Sequence, residues 1–177
     1  MGCGKSSVGR RLSELLCCPF MDLDEEIEAK TGRSIPEIFA EDGEDAFRKM
    51  ELETLYDIVP MPVYSRGPLP ADESSQDIIL ALGGGTVMTR ECAEIVHKGT
   101  RCIYLKTSVE TLVCHLEGET ENRPMLQGES LRERISELMA RRSGTYEGTA
   151  HVIIDTDGRS IDEIATEIIS KVRQSGV

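Results

Sequence analysis

Gly2-Cys3-Gly4-Lys5-Ser6-Ser7 reads as the back half of the pattern G-x-x-x-x-G-K-[ST]. In that pattern backbone N–H groups, a lysine and a hydroxyl hold the phosphates of a nucleoside triphosphate and its Mg²⁺. Val8, Leu12, Leu15 and Leu16 follow at helical spacing, with Arg10, Arg11 and Glu14 on the other face, so a helix is expected to begin at the lysine. Its N-terminus would offer N–H donors and a positive dipole end to phosphate oxygens. Taken alone, the fragment also fits a glycine turn ahead of an ordinary helix. The first glycine of the pattern and the β-strand that should lead into it are expected ahead of Met1, encoded by in-frame upstream codons.

A second set of groups lies downstream. Asp22-Leu23-Asp24 ends a short apolar run, and a strand period of two would point both carboxylates to one side, at the carboxyl end where α/β sheets bind ligands. Beside a phosphate loop, one carboxylate can hold Mg²⁺ through water and the other can contact a hydroxyl that attacks phosphorus. The competing reading makes Asp24 a helix cap and Asp22 a solvated turn residue. Arg48 sits among Glu44 and Glu51 at helical pairing distance, and Arg142 could instead complement the dipole at the end of its helix. Gly83-Gly84-Gly85 follows an apolar run, so a ligand could approach its backbone closely, or the glycines could form only a flexible connection.

The elements that must position these groups alternate between helix and strand, which implies a parallel sheet with helices on both faces. The expected order starts with the first helix and a strand at 19–22. A helix follows from Asp24 to a stop at Gly32, then one capped by Ser34, and one from about Glu44 to Ile58. Strands are expected at 77–82, 102–105 and 152–155. The helices between and after them are expected at 90–97, from about Ser108, at 131–142 and at 160–173, the last with Ile161, Ile164, Ile168 and Ile169 inward. Two stretches have no period: 60–76, rich in proline, is a loop or insertion, and about 117–130, with Arg123-Pro124 in its middle, is a lid candidate.

At 177 residues, with 39% apolar and 29% charged content, the chain has the composition of one globular domain. Its net charge of -12 argues against a nucleic-acid groove, which requires a basic stripe that the sequence does not show. No apolar run is long enough to span a bilayer and no signal peptide is seen, so a soluble, cytoplasmic protein is expected. Six cysteines form neither C-x-x-C nor a zinc spacing with His97, His115 or His151, and buried free thiols are expected for most of them. Cys3 stands apart, inside the phosphate loop, either as a small filler or as an oxidant-sensitive thiol.

Met1 to Gly9, Phe20 to Glu28, Thr31-Gly32-Arg33-Ser34-Ile35, Ile38-Phe39, Gly43-Glu44 and Phe47 to Glu51 come in an order that is itself informative. Leu82-Gly83-Gly84-Gly85-Thr86-Val87, Arg123-Pro124-Met125-Leu126 and Arg141-Arg142 ahead of Tyr146 complete it. In this order and spacing the chain resembles shikimate kinases, of the nucleoside-monophosphate-kinase-like P-loop group, over nearly its whole length. The resemblance implies a three-layer α/β/α fold with a parallel sheet of strand order 2-3-1-4-5, whose first, central strand this chain lacks. One domain, residues 1–177, is implied, acting as a monomer. The implied reaction transfers the ATP γ-phosphoryl group to the 3-hydroxyl of shikimate.

The resemblance also implies roles. Gly2, Cys3, Gly4, Lys5, Ser6 and Ser7 would hold ATP, with Lys5 at the β- and γ-phosphates and Ser6 and Asp22 serving Mg²⁺. Asp24 would bind the substrate hydroxyls and act as base. Arg48 and Arg142 would grip the shikimate carboxylate beside Gly83, Gly84 and Gly85. Arg123 would swing in on the lid to an ATP phosphate, and Arg159 would contact adenine. Three other readings remain: another small-molecule kinase such as a gluconate kinase, a nucleotide-binding module without turnover, and a truncated, inactive relative.

Overall fold

A chain that opens on glycines and then turns apolar every third or fourth residue makes a helix as soon as the glycines end, and α1 spans Lys5–Leu16. The computed structural model describes residues 2–59, 77–119 and 129–174. The 60–76 segment and Arg123-Pro124 therefore lie outside the described residues. The chain divides into two compact units, one of residues 1–11 with 101–177 and one of residues 12–100.

In the 12–100 unit, β1 (Phe20–Asp22) runs into α2 (Leu23–Thr31), α3 (Ile35–Glu41) and α4 (Gly43–Ile58). Then come β2 (Ile79–Ala81), a 3-10 turn at Thr86–Met88 and α5 (Arg90–Gly99). β1 and β2 pair in parallel, Phe20 against Ile79 and Asp22 against Ala81. Leu23, Ile27, Ile38 and Phe47 form the core, with Leu80 and Leu82 packed on it. Its helix ends are specified locally. Gly32 closes α2 at φ 67°, where a side chain would be strained, and its N–H reaches the Glu28 carbonyl. The Glu37 carboxylate receives both the Ser34 N–H (2.8 Å) and the Ser34 hydroxyl (2.7 Å), which holds it below the usual carboxylate range.

Residues 101–177 supply β3 (Ile103–Lys106), α6 (Val109–Glu119), α7 (Glu129–Thr149), β4 (Val152–Asp155) and α8 (Ile161–Gln174). β3 and β4 pair in parallel, Ile103 against Val152 and Lys106 against Asp155. Leu112, Leu131 and Ile135 form a core against which Cys3, Leu116 and Met139 pack. The β1–β2 and β3–β4 pairs match the 2-3 and 4-5 neighbours of the implied order. Among the described residues no strand fills the first position.

Several expectations need correction. α2 begins at Leu23, so Asp22 and not Asp24 is its cap: Asp22 Oδ1 accepts the Asp24 N–H at 3.1 Å, and Asp22 is buried. The strand period of two therefore does not extend to Asp24. β2 is three residues, not six, because it pairs with a three-residue β1. Leu15 and Leu16 are exposed (42% and 41%), as is Ile161 (45%), which occupies the capped first turn of α8 rather than its inward face. Of the cysteines only Cys92 is buried; Cys17 and Cys114 are exposed and all six are free. Cys17 adopts φ 53° just past α1, the left-handed position in which helices usually place glycine.

Candidate active site

α4 carries a carboxylate on its apolar face. Phe47, Glu51, Thr54 and Leu55 are its buried residues, and Glu51 is only 1% exposed. A buried charge has to be paired and hydrogen-bonded. Arg48, one turn back, donates from Nη1 to Glu51 Oε2 at 2.5 Å, and the Thr86 hydroxyl donates to Oε1 at 2.6 Å. Arg48 Nη2 turns outward to Glu44 Oε1 at 2.8 Å, and the guanidinium carbon lies 5.5 Å from the Phe47 ring centroid. Burial pulls the Arg48 guanidinium down, yet its bonds to Glu51 and Glu44 outweigh that and hold it above its ordinary value. It is a permanent cation with a planar fork of donors suited to a carboxylate.

The triple glycine lies against this fork. A Cβ on Gly85 would stand 2.5 Å from Arg48 Nη2 and 2.6 Å from Nη1. A Cβ on Gly83 would stand 2.9 Å from Asp24 Oδ1, 3.0 Å from Thr86 Oγ1 and 3.2 Å from Glu51 Oε1. Neither position has room for a side chain. Asp24, Arg48, Gly83 and Gly85 are thus brought together, with Gly84 between the two glycines. Glu51 and Thr86 complete the cluster, and the sequence reading assigned neither. Glu51 had a legible signal: it falls in the helical stripe of Phe47, Leu55 and Ile58, where a charge needs a partner. Thr86 had none, since threonine after glycines is an ordinary loop residue. Cys92 is buried nearby; burial, reinforced by the Glu51 charge, pushes its thiol up to about 11, so it is neutral at pH 7.

The phosphate loop belongs to the other unit. Gly2 and Gly4 adopt φ 70° and 74°, a region open to glycine at little cost. The Gly4 carbonyl accepts the Val8 N–H at 2.9 Å, which closes the first turn of α1 and places Lys5, Ser6 and Ser7 at its N-terminal end. His115 of α6 holds the loop from behind, with Nδ1 2.7 Å from the Gly2 carbonyl; a carbonyl only accepts, so Nδ1 carries the proton. A Cβ on Gly2 would meet Leu116 Cγ at 3.2 Å, while beside Gly4 nothing lies within 4 Å. This cradle of left-handed glycines opening onto a helix N-terminus fits a phosphate group. Among the described residues no three His, Cys, Asp or Glu side chains cluster as a metal cage.

Two further arginines occupy different settings. Arg142 is half-buried in the interior of α7, which continues to Thr149 instead of ending near residue 142, so the helix-terminus alternative does not apply to it. Tyr146, one turn on, packs against Tyr104 at 5.2 Å between ring centroids. Arg159 donates to the Asp155 carbonyl at 2.9 Å and pairs with Glu167 at 2.5 Å.

No described helix is long and apolar enough to cross a membrane. The family model for shikimate kinase matches residues 1–68 and 69–173. A shikimate kinase of Dictyoglomus turgidum is 40% identical over 175 residues, 98% of this chain and 93% of its own length. One of Thermus thermophilus is 37% identical over 172 residues, 97% and 85%. A solved shikimate kinase from Acinetobacter baumannii, in complex with shikimate, superposes with a TM-score of 0.82 at 32% identity, covering 100% of this chain and 90% of that one. Another, from Aquifex aeolicus, gives 0.75 at 26% identity, covering 99% and 92%. The three-layer P-loop kinase fold follows from these matches, and the chain belongs to the shikimate kinase family.

Proposed function

We propose that this chain transfers the γ-phosphoryl group of ATP to the 3-hydroxyl of shikimate, giving shikimate 3-phosphate and ADP. The observation that carries the reading is the Arg48 fork. It is a cation fixed by a buried carboxylate, with side-chain-free glycine backbone beside it and Asp24 converging on the same glycines. A small polyhydroxy acid needs those three things: a clamp for its carboxylate, close backbone approach and an acceptor for its hydroxyl proton.

In this reading Arg48 and Arg142 bind the shikimate carboxylate, Gly83, Gly84 and Gly85 face the ring, and Asp24 accepts the 3-hydroxyl proton as the new P–O bond forms. Gly2, Cys3, Gly4, Lys5, Ser6 and Ser7 bind the nucleotide phosphates, and Lys5 neutralises charge that develops as the bond to ADP breaks. Arg123 acts on the same phosphates and Arg159 on the adenine. Ser6 and Asp22 would hold Mg²⁺, which when bound neutralises the β- and γ-phosphates. Residues 1–177 work as one cytoplasmic, monomeric kinase domain in which a lid at about 117–130 carries Arg123, while the 60–76 segment stays outside the chemistry.

A coupled ADP-release assay tests it. Turnover that depends on both ATP and shikimate is expected. ATP hydrolysis unaffected by shikimate, or no turnover in a folded protein, overturns the reading.

A further inference from the structure

We propose that Thr86 is a positioning residue for the substrate's acid group, acting through Glu51 on Arg48. This rests on the reading that Arg48 binds the shikimate carboxylate. Thr86 is fully buried, at the first position of the 3-10 turn after the glycines, and its N–H reaches back to the Gly83 carbonyl at 3.2 Å. Its buried hydroxyl points to Glu51 Oε1, at 2.6 Å. Because an ionised carboxylate only accepts, the proton of that bond belongs to threonine.

The geometry divides the work on Glu51 between its two oxygens. Oε2 takes the Arg48 guanidinium and Oε1 takes Thr86. A carboxylate held at one oxygen can still turn about its last side-chain bond, which is a soft torsion. Held at both, it fixes the plane of its oxygens and so the direction from which Arg48 Nη1 must approach. Among the described residues the second Arg48 arm, Nη2, hydrogen-bonds Glu44, whose side chain is 65% exposed. That arm is the one a substrate carboxylate can take over. Thr86 therefore aims a group it never touches, from a turn placed by the same glycines that make room for the substrate.

Steady-state kinetics with shikimate and ATP varied separately, on the full chain and on Thr86→Val, Thr86→Ala and Thr86→Ser, test the proposal. Removing the hydroxyl leaves a buried oxygen unpaired, so Thr86→Val and Thr86→Ala are expected to raise the KM for shikimate by about 5- to 20-fold. Their KM for ATP should stay within about twofold, and Thr86→Ser should recover most of the loss. A shikimate analogue lacking the carboxylate should show no difference between Thr86→Val and the parent. Unchanged shikimate KM in folded Thr86→Val overturns the proposal, and so does an equal defect in Thr86→Ser, which would point to methyl packing. Loss of the fold in both Thr86→Val and Thr86→Ala also overturns it, because a hydroxyl that only aims Arg48 leaves the fold standing. A parent chain without shikimate-dependent turnover removes the functional reading itself; a parent that turns over beside indifferent variants removes the Thr86 role alone.

Discussion

A carboxylate withdrawn from water must have its charge answered by its neighbours, and for Glu51 those neighbours are Arg48 and Thr86. Glu51→Ala takes away the inner anchor of Arg48, already 22% exposed, and leaves it Glu44 and the Phe47 ring. Because the orphaned cation is partly solvated, a loss of about 2 kcal/mol in urea unfolding is expected, below the range for a fully buried partner. Gly85→Ala should act differently. Its Cβ would displace the Arg48 guanidinium, the tip of a side chain, so the protein should keep its fold while the KM for shikimate rises on the order of tenfold or more. Circular dichroism beside kinetics separates the two effects. The places of Lys5 at the start of α1 and of Arg48 on α4 beside Glu44 and Glu51 were legible, because motif and helical spacing single them out. Asp22 was misread in its bland form, since a cap in sequence gives no sign of being buried.

Among the elements, α7 departs furthest from what its letters suggest. Its helical spacing predicts a helix over 131–142, yet α7 continues through Gly144 and Gly148 to Thr149. Tyr146 packing on Tyr104 and the burial of Thr149 outweigh the low helical propensity of two glycines. Nothing lies within 4 Å of a Cβ on Gly144 or Gly148, and both have ordinary helical backbone. Gly144→Ala and Gly148→Ala are each expected to stabilise the protein by roughly 0.5–1 kcal/mol, read as a higher urea midpoint. The same comparison explains the strands: propensity marks where apolar runs lie, but pairing decides how many residues count, and β1 limits β2 to three. The caps at Ser34 and Gly32, unlike the one at Asp22, were readable, because Ser34, Glu37 and Gly32 act within a few residues of themselves.

For the molecule as a whole, the sequence order of helices and strands and the parallel pairs were legible, since alternation and right-handed crossover leave few choices. Burial of the cysteines was not, because an apolar neighbourhood in sequence does not fix which face a residue takes. The one thiol that is buried gives a test of stability. Burial pushes the folded Cys92 thiol up to about 11, above its ordinary 9.0. Below pH 9 folded and unfolded chains both hold the proton; above it the unfolded chain ionises first, and stability falls as pH rises toward 11. The urea midpoint should therefore decline between pH 9 and 11, and Cys92→Ala should flatten part of that decline. Equal slopes for the two proteins would remove Cys92 as a source of it.

Glu44, the exposed partner of Arg48, gives substrate capture an unusual form. With one carboxylate already resting on the outer arm of the fork, an arriving acid on the proposed reading exchanges with a resident anion instead of meeting a bare cation. Binding then works as an ion exchange in which the protein supplies its own counter-ion, and little salt is released to solution. The KM for shikimate should accordingly change little between low and high potassium chloride in the parent protein. In Glu44→Gln the fork must borrow its anion from the buffer, so the same KM should climb with chloride.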